Sequence, residues 1–170
     1  SNHELKLYQY FRSKINVNPN NIVVLDKYIF FFVDNLYYFH AARSLPAIRR
    51  ELINNKILFF RSERILYKLL FSLFPDLYIH HINASENNTA KEIIISLQFI
   101  FDEDRGIAVG PAGEYIKTIN RFFRDYVVSD YSMFPIRIKC EKTELRGEIQ
   151  DNFIKKTWKN LGYLEFLDNY

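Results

Sequence analysis

Two closely spaced glycines, Gly110 and Gly113, constrain the fold of this chain more than any other feature. Only 5 glycines occur in 170 residues, so two within one tetrapeptide indicate a backbone conformation that other residues resist. The segment Glu114–Val128 follows them with a broad apolar stripe and predicts an amphipathic helix. Ile107–Val109 precedes them and predicts a helical turn. We therefore expect a sharp bend between two helices at Gly110–Gly113.

Helices and strands are predicted in a definite order around this loop. A helix begins at Ser62, has an apolar face and ends at Pro75. Two strands joined by a polar turn follow as a hairpin, then a charged turn, and a last strand comes after the long helix. These segments are Leu77–Ile82, Asn83–Thr89, Glu92–Phe101, Asp102–Gly106 and Ile136–Cys140. The expected order is helix, strand, strand, short helix, glycine loop, long helix, strand.

Residues 1–60 and 143–170 lie outside this pattern. The first stretch predicts a short helix, two strands that form a hairpin or remain separate, and a helix capped by Ser44. The last stretch predicts a helix from Thr143 that ends by Gly162. No internal repeat is visible in the sequence. We interpret residues 1–60 as an α/β extension of unknown role, and residues 143–170 as a carboxyl-terminal helix and tail.

The composition limits the classes of function. Hydrophobic residues make up 48% of the chain, enough for a substantial core, and the net charge of +3 permits an anionic partner without requiring one. The lone cysteine, Cys140, excludes an internal disulfide and a cysteine-based zinc site, and it is interpreted as a buried thiol. The longest apolar run, Tyr28–Val33, is too short to cross a membrane, so no membrane partner is expected.

Other groups of polar and aromatic residues have plainer interpretations than catalysis. His80 and His81 are adjacent in a predicted strand and point to opposite faces, which disfavours a shared metal. The acidic run Asp102–Asp104 predicts a charged turn, and Asp26 and Asp34 flank a strand as turn residues. A dense aromatic cluster either stacks bases or, as we favour, belongs to the core: Tyr28, Phe30, Phe31, Phe32, Tyr37 and Tyr38. Without a phosphate-binding glycine motif or a catalytic triad, we expect no enzyme activity, cofactor or metal.

The segment Arg105–Phe123 resembles the signature of KH domains, which is an apolar turn, a GXXG loop and an amphipathic helix. Gly106–Val109 matches the turn and Gly110–Gly113 matches the loop. The predicted element order is similar to the type II arrangement, over about half of the chain, from about Arg61 to Lys142. The expected fold class is therefore α+β, a type II KH-like domain with an α/β amino-terminal extension and a carboxyl-terminal helix.

In KH domains the loop backbone holds about four nucleotides of single-stranded RNA. The resemblance implies that apolar side chains line a groove for bases and that nearby cations meet phosphates. The implied RNA-binding residues are Arg105, Gly106, Ile107, Val109, Gly110, Pro111, Ala112, Gly113, Lys117, Arg121 and Arg124, with Ile116 supporting the groove. The family usually has Lys or Arg at the two central loop positions, here Pro111 and Ala112. A protein-interaction module on a degenerate KH scaffold is therefore the alternative.

Two groups of KH proteins are similar to this chain. Small-subunit ribosomal protein three has a helix after its last KH strand, as predicted here, whereas the transcription factor NusA has a similar pre-loop segment but tandem repeats. Because one glycine loop is visible, the sequence favours a divergent ribosomal or ribosome-associated protein. The expected partners are single-stranded or ribosomal RNA and neighbouring proteins of a ribonucleoprotein. The abundance of Phe, Tyr, Ile, Asn and Lys suits an AT-rich genome, so we expect an intracellular site, organellar (mitochondrial) or bacterial.

Overall fold

The computed structural model describes residues 2–129, 134–144 and 164–166. The chain divides into two compact units, Ser1–Glu63 and Arg64–Tyr170. Each unit has a three-stranded sheet accompanied by helices. The α+β class expected from the sequence is confirmed.

The first unit is built around one strand whose two faces are both buried. Its elements are α1 (Asn2–Ile15), β1 (Asn21–Leu25), β2 (Tyr28–Val33), α2 (Tyr38–Ala42), α3 (Leu45–Glu51) and β3 (Lys56–Arg61). The central strand β2 pairs antiparallel with β1 and parallel with β3. The hairpin that the sequence left open is therefore formed, and β3 is a strand that the sequence did not predict.

Aromatic packing joins α1 to the sheet of the first unit. The Phe11 ring of α1 stacks on Phe31 of β2 with centroids 4.7 Å apart, and Phe59 of β3 meets Phe31 edge-on at 5.5 Å. Phe11 and Phe31 are completely buried. The apolar cluster of the sequence thus forms core along β2, and burial of such large rings is a major source of stability.

The second unit also places a parallel strand beside a hairpin. Its elements are α4 (Leu66–Leu73), β4 (His81–Asn87), β5 (Glu92–Phe99), α5 (Asp102–Val109), a 3₁₀ turn (Pro111–Gly113), α6 (Glu114–Tyr126), β6 (Val127–Ser129), β7 (Ile136–Lys142) and β8 (Leu164–Phe166). The sheet order is β4-β5-β7, with β4 antiparallel and β7 parallel to β5, while β6 and β8 form a separate antiparallel pair. Every second residue of β5 is buried, which places one face of this sheet on the core.

Several boundaries differ from the sequence predictions. The helix predicted from Ser62 begins at Leu66, and the predicted turn Asn83–Thr89 is instead largely strand, because its polar residues pair with β5. The segment Asp102–Gly106, predicted as a turn, is the first part of α5, where acidic residues suit the helix amino terminus. The long helix ends at Tyr126, and the valines that follow pair with β8. Of the predicted carboxyl-terminal helix, Thr143 and Glu144 are described and are not helical, and the rest lies outside the described residues.

The two units share one connectivity, which the sequence did not reveal. In each, a helix precedes a hairpin, and two helices connect the second strand of the hairpin to a third strand that lies parallel beside it. Within the paired helices, Ala41 of α2 and Ala108 of α5 are completely buried. Ile48 of α3 and Ile119 of α6 are likewise buried. The helix pairs of the two units therefore present comparable positions to their cores.

Contacts between the second helix of each pair and the third strand strengthen this correspondence. Arg49 follows the buried isoleucine of α3, and its Nε donates to the carbonyl oxygen of Ile57 at 3.0 Å. Asn120 follows the buried isoleucine of α6, and its Nδ2 donates to the carbonyl oxygen of Ile138 at 3.0 Å. Asn120 Oδ1 also accepts the Ile138 N–H at 2.7 Å. The chain is therefore a structural duplication with divergent side chains.

A polar network joins α1 to α3 in the first unit. Tyr10 Oη donates to a carboxylate oxygen of Glu51 at 2.7 Å, and Lys14 Nζ donates to the other at 2.8 Å. The hydrogen bond from Lys14, followed by that from Tyr10, lowers the pKa of Glu51. Burial, reinforced by the carboxylate, raises the pKa of Tyr10 to about 12.

We expect Glu51→Gln to lower the free energy of unfolding slightly at neutral pH, with the difference from wild type disappearing in acid. A carboxyl whose pKa is depressed by folding stabilises above its unfolded pKa, and that contribution is lost as pH falls through the folded pKa. Urea denaturation at neutral pH and at a pH below the folded pKa measures the difference. Lys14→Met is the matched variant. It removes the hydrogen bond that contributes most to lowering the pKa of Glu51, so its difference from wild type should also shrink in acid. A pH-independent difference would contradict the role given to this carboxylate.

Candidate nucleic-acid interface

The loop between α5 and α6 has a backbone that strongly favours glycine. Gly110 has φ 73° and ψ 167°, a region almost restricted to glycine. Gly113 has φ 73° and ψ 18°, and Ala112 between them also has a positive φ of 52°. The Gly113 N–H donates to the Gly110 carbonyl oxygen at 3.0 Å. The bend predicted between two helices is therefore present.

The two glycines serve the loop in different ways. A Cβ on Gly110 would lie 2.7 Å from Tyr115 Cβ, so the close approach of α6 excludes any side chain there. The Tyr115 hydroxyl donates to the carbonyl of Leu73, and its ring meets Phe74 edge-on at 5.7 Å. A Cβ on Gly113 would meet only Lys117, with Cε at 3.7 Å. Gly110 thus anchors the loop on the core, whereas Gly113 leaves its surface open.

A lysine of α6 supplies the loop with a positive charge. Pro111 and Ala112 are exposed and uncharged, but Lys117 Nζ donates to the Ala112 carbonyl oxygen at 3.2 Å. The loop also precedes the amino terminus of α6, where backbone amides carry partial positive charge. Glu114 in the first turn of α6 partly opposes that field. An ammonium group over an open glycine backbone suits a phosphate group.

Apolar surface lies on the helix that leads into the loop. Ile107 of α5 is 57% exposed, while Val109 and the α6 residue Ile116 are half-buried. Gly106 is exposed, and no atom lies within 4 Å of a Cβ built there. Among the three predicted apolar residues, Ile107 is therefore the one with a largely exposed side chain.

The other predicted cations have carboxylate partners. Arg121 Nε lies 3.4 Å from Asp125 Oδ2, and Arg124 Nε lies 2.8 Å from Asp125 Oδ1. The hydrogen bond from Arg124 is the main reason that the pKa of Asp125 is lowered. Arg105 Nε lies 3.7 Å from Asp102, in the first turn of α5, the end opposite the loop. Among these four cations, Lys117 has a hydrogen bond to the loop.

Strand β7 carries its two predicted cations on the face away from the core. Ile136 and Ile138 are buried, and Arg137 and Lys139 alternate with them along the strand. Alternate residues of a strand point to opposite faces, so these two cations lie opposite the buried isoleucines. Arg137 also lies 3.6 Å from Glu92. Within the described residues, Lys117 is the predicted cation with a hydrogen bond to the loop.

Other sequence candidates have structural roles. Among the described residues, no group of three His, Cys, Asp or Glu side chains is placed to hold a metal ion. Within the same ranges, every helix falls short of the length and apolar character needed to cross a membrane. Burial raises the pKa of Cys140 to about 12, so its thiol stays protonated at neutral pH. His81 is the first residue of β4, and His80 precedes it and is exposed.

The aromatic cluster singled out in the sequence divides into two sets. Tyr28 and Phe30–Phe32 are buried in β2, whereas Tyr37 is 51% exposed and Tyr38 is half-buried. Phe39 was not among the sequence candidates, yet it is 68% exposed. The core interpretation therefore holds for the strand residues but fails for Tyr37.

Comparison with known proteins relates the chain to a fold. No family model and no curated protein matches its sequence. Its structure is similar to the crystal structure of APE1850, with a TM-score of 0.55 and 22% sequence identity. The likeness is one of fold. It covers 82% of this chain and 99% of APE1850, more than either compact unit of this chain spans alone, so it includes parts of both.

Proposed function

We propose that this chain is a non-catalytic RNA-binding protein made of two KH-type units, and that the glycine loop of the second unit holds single-stranded RNA. The observation that carries the proposal is the open loop backbone beside the Lys117 ammonium, 3.2 Å from the Ala112 carbonyl oxygen. Both features suit a sugar-phosphate chain pressed against peptide rather than a reaction.

The topology of the second unit supports the KH interpretation. Helix α4, hairpin β4–β5, helices α5 and α6 with the glycine loop between them, and strand β7 follow the order expected from the resemblance. Both glycines have positive φ, as a tight GXXG turn needs. Helices flank the loop on both sides, and the exposed Ile107 lies on the helix that leads into it.

The proposed binding mode separates positioning from base contact. A phosphate accepts from the Lys117 ammonium beside the open Gly113 backbone, while a base rests on the exposed surface of Ile107. A lysine does not distinguish bases, so we expect weak sequence preference and marked salt dependence. Arg121 and Arg124 share one carboxylate, Asp125, which offsets part of their charge, so together they contribute less than two unpartnered cations would.

The duplication changes which KH protein is the better comparison. A single visible glycine loop favoured a ribosomal protein, but the first unit repeats the connectivity of the second. Two consecutive units favour a tandem arrangement like that of NusA. The alternative, a protein-interaction module, rests on the lack of charge at Pro111 and Ala112. Lys117 weakens this alternative, because its ammonium group supplies a positive charge at the loop. RNA, with other proteins of a ribonucleoprotein, remains the proposed partner.

We expect Gly113→Asp to weaken binding of a short single-stranded RNA by about tenfold or more, through like-charge repulsion at the phosphate site. Aspartate tolerates a left-handed backbone, and a Cβ there meets only Lys117, so the unit should remain folded. Gly113→Asn is the matched control, with equal size and no charge. Fluorescence anisotropy with labelled RNA measures each dissociation constant.

Four outcomes are informative. A greater loss with aspartate than with asparagine supports a phosphate at the loop, and equal losses support close backbone approach without a charge at that point. Lys117→Ala should also reduce the slope of log affinity against log salt by about 0.7. Unchanged affinity in all three variants would remove the loop from RNA binding, and absence of binding by wild type would refute the proposed function.

A further inference from the structure

The first unit has an exposed aromatic surface at the start of α2. Tyr37 is 51% exposed, Phe39 is 68% exposed, and the neighbouring Leu36 is 85% exposed. Single apolar side chains on a surface are common, but three within four residues on one turn are a patch. The aromatic residues of β2 in the same unit are buried in the core, so they do not contribute to this patch.

An arginine is held against the rings of Tyr38 and Phe39. The Arg61 guanidinium carbon, at the end of β3, lies 4.9 Å from the Tyr38 ring centroid and 5.2 Å from that of Phe39. Tyr38 and Phe39 themselves pack edge-to-face at 5.6 Å. Phe39 remains largely exposed despite these contacts. A ring fixed next to a planar cation is the arrangement on which nucleic-acid bases stack.

The charged residues named around this surface are two arginines and two carboxylates. Arg43 follows α2 and is exposed, and Arg61 is already against the rings. The two carboxylates, Asp34 and Glu63, accept hydrogen bonds from residues of the turn that precedes α2. Asp34 Oδ1 accepts the Leu36 N–H at 2.8 Å, and Glu63 Oε1 accepts from Asn35 at 2.9 Å. These hydrogen bonds come from neutral amides and do not cancel the two negative charges, so the rings, rather than net charge, decide what kind of partner this surface suits.

The first unit lacks the glycine clamp at the corresponding place. Arg43 and Ser44 connect α2 to α3 with φ of −61° and −87°, both in the right-handed region. The second unit has Gly110–Gly113 at this point, with three positive φ angles. A continuous right-handed backbone leaves no open loop over which a phosphate could lie. If the first unit contacts RNA, it must therefore do so by another mode.

We infer that Phe39, held beside the Arg61 guanidinium, forms a second RNA-contacting surface in the first unit, on which a base of a single strand stacks. The inference rests on the proposed RNA-binding function but not on the glycine loop. Its chemistry differs from that of the loop, because a ring face stacks on a base and carries no charge that pairs with a phosphate. Stacking is tolerant of sequence, since every base has a π-face.

We expect Phe39→Leu to weaken binding of a single-stranded RNA of about 12 nucleotides by about fivefold or more, the loss typical of one stacked base. Leucine keeps an apolar, helix-compatible side chain but has no ring, whereas Phe39→Trp keeps the stacking face and should bind at least as well as wild type. The salt slope should not change in either variant, because no charge is altered.

The outcomes separate this inference from the proposed function. Loss with leucine and retention with tryptophan support stacking, whatever Gly113→Asp does. Wild-type affinity in Phe39→Leu, together with a loss in Gly113→Asp, overturns the stacking surface and leaves the loop proposal standing. Equal losses with leucine and tryptophan also overturn stacking. A protein partner that survives nuclease treatment and is lost with Phe39→Leu, without any change in RNA affinity, would assign the patch to protein instead.

Discussion

Gly110→Ala is expected to destabilise the second unit by about 2–6 kcal/mol. A side chain at φ 73° and ψ 167° costs about 1–3 kcal/mol in backbone strain. The new Cβ would lie 2.7 Å from Tyr115 Cβ, and forcing an extra carbon into packed structure costs about 1–3 kcal/mol more. Relief would require movement of the amino terminus of α6. RNA binding should weaken as well, because the loop is displaced.

Gly106→Ala is the matched control for this prediction. Gly106 lies within α5, and nothing lies within 4 Å of a Cβ placed there. Alanine in a helix interior is favoured over glycine by about 0.5–1 kcal/mol, so this variant should be slightly more stable than wild type. Urea denaturation of both variants measures the contrast. Equal stability of Gly110→Ala and Gly106→Ala would contradict the loop geometry described above.

Phe31→Ala is expected to lower the free energy of unfolding of the first unit by about 3–5 kcal/mol. The Phe31 ring is completely buried, stacks on Phe11 at 4.7 Å and meets Phe59 edge-on at 5.5 Å. Alanine would leave a cavity between α1 and the central strand. Few native domains exceed 15 kcal/mol of stability, so this is a large fraction of the total.

A double-mutant cycle with Phe11→Ala tests the physical reason for that loss. Because the two rings stack directly, their separate losses should not add, and the coupling free energy should lie at about 0.5–1.5 kcal/mol. Phe31→Leu, which keeps most of the volume, should cost much less than alanine. A loss below about 1 kcal/mol for Phe31→Ala would place this ring outside the core, and additive losses would contradict its direct contact with Phe11.

The duplication could not have been found from the sequence, for a physical reason. What the units share is the path of the backbone and a few buried positions, such as Ala41 with Ala108 and Ile48 with Ile119. Comparable positions elsewhere hold different side chains, for example Arg49 and Asn120, which both bond to a third strand. The most visible motif, the glycine loop, is present in one unit and replaced by a two-residue helical link in the other. Sequence similarity is thereby lost while connectivity is retained.

The functional surfaces also depended on contacts between distant residues. Arg121 and Arg124 appear in the sequence as helix cations, but both pair with Asp125. In the sequence, Tyr37 belongs to an aromatic cluster that predicts core, and nothing local distinguishes Phe39 from its neighbours. Their exposure depends on how α2 follows the sheet, and Arg61, which meets Phe39, comes from a strand that the sequence did not predict.

Local chemistry alone determined the bend at Gly110 and Gly113, the amphipathic helix after it and the α+β class. Left-handed backbone and helical periodicity are properties of a few adjacent residues, so they can be read without knowing what surrounds them. The tertiary structure alone decided that Asn83–Asn87 is strand, that α5 begins at Asp102, that Lys117 meets the loop and that two units share one connectivity. Each of these depends on partners far apart in the chain, and pairing with such partners overrides local preference.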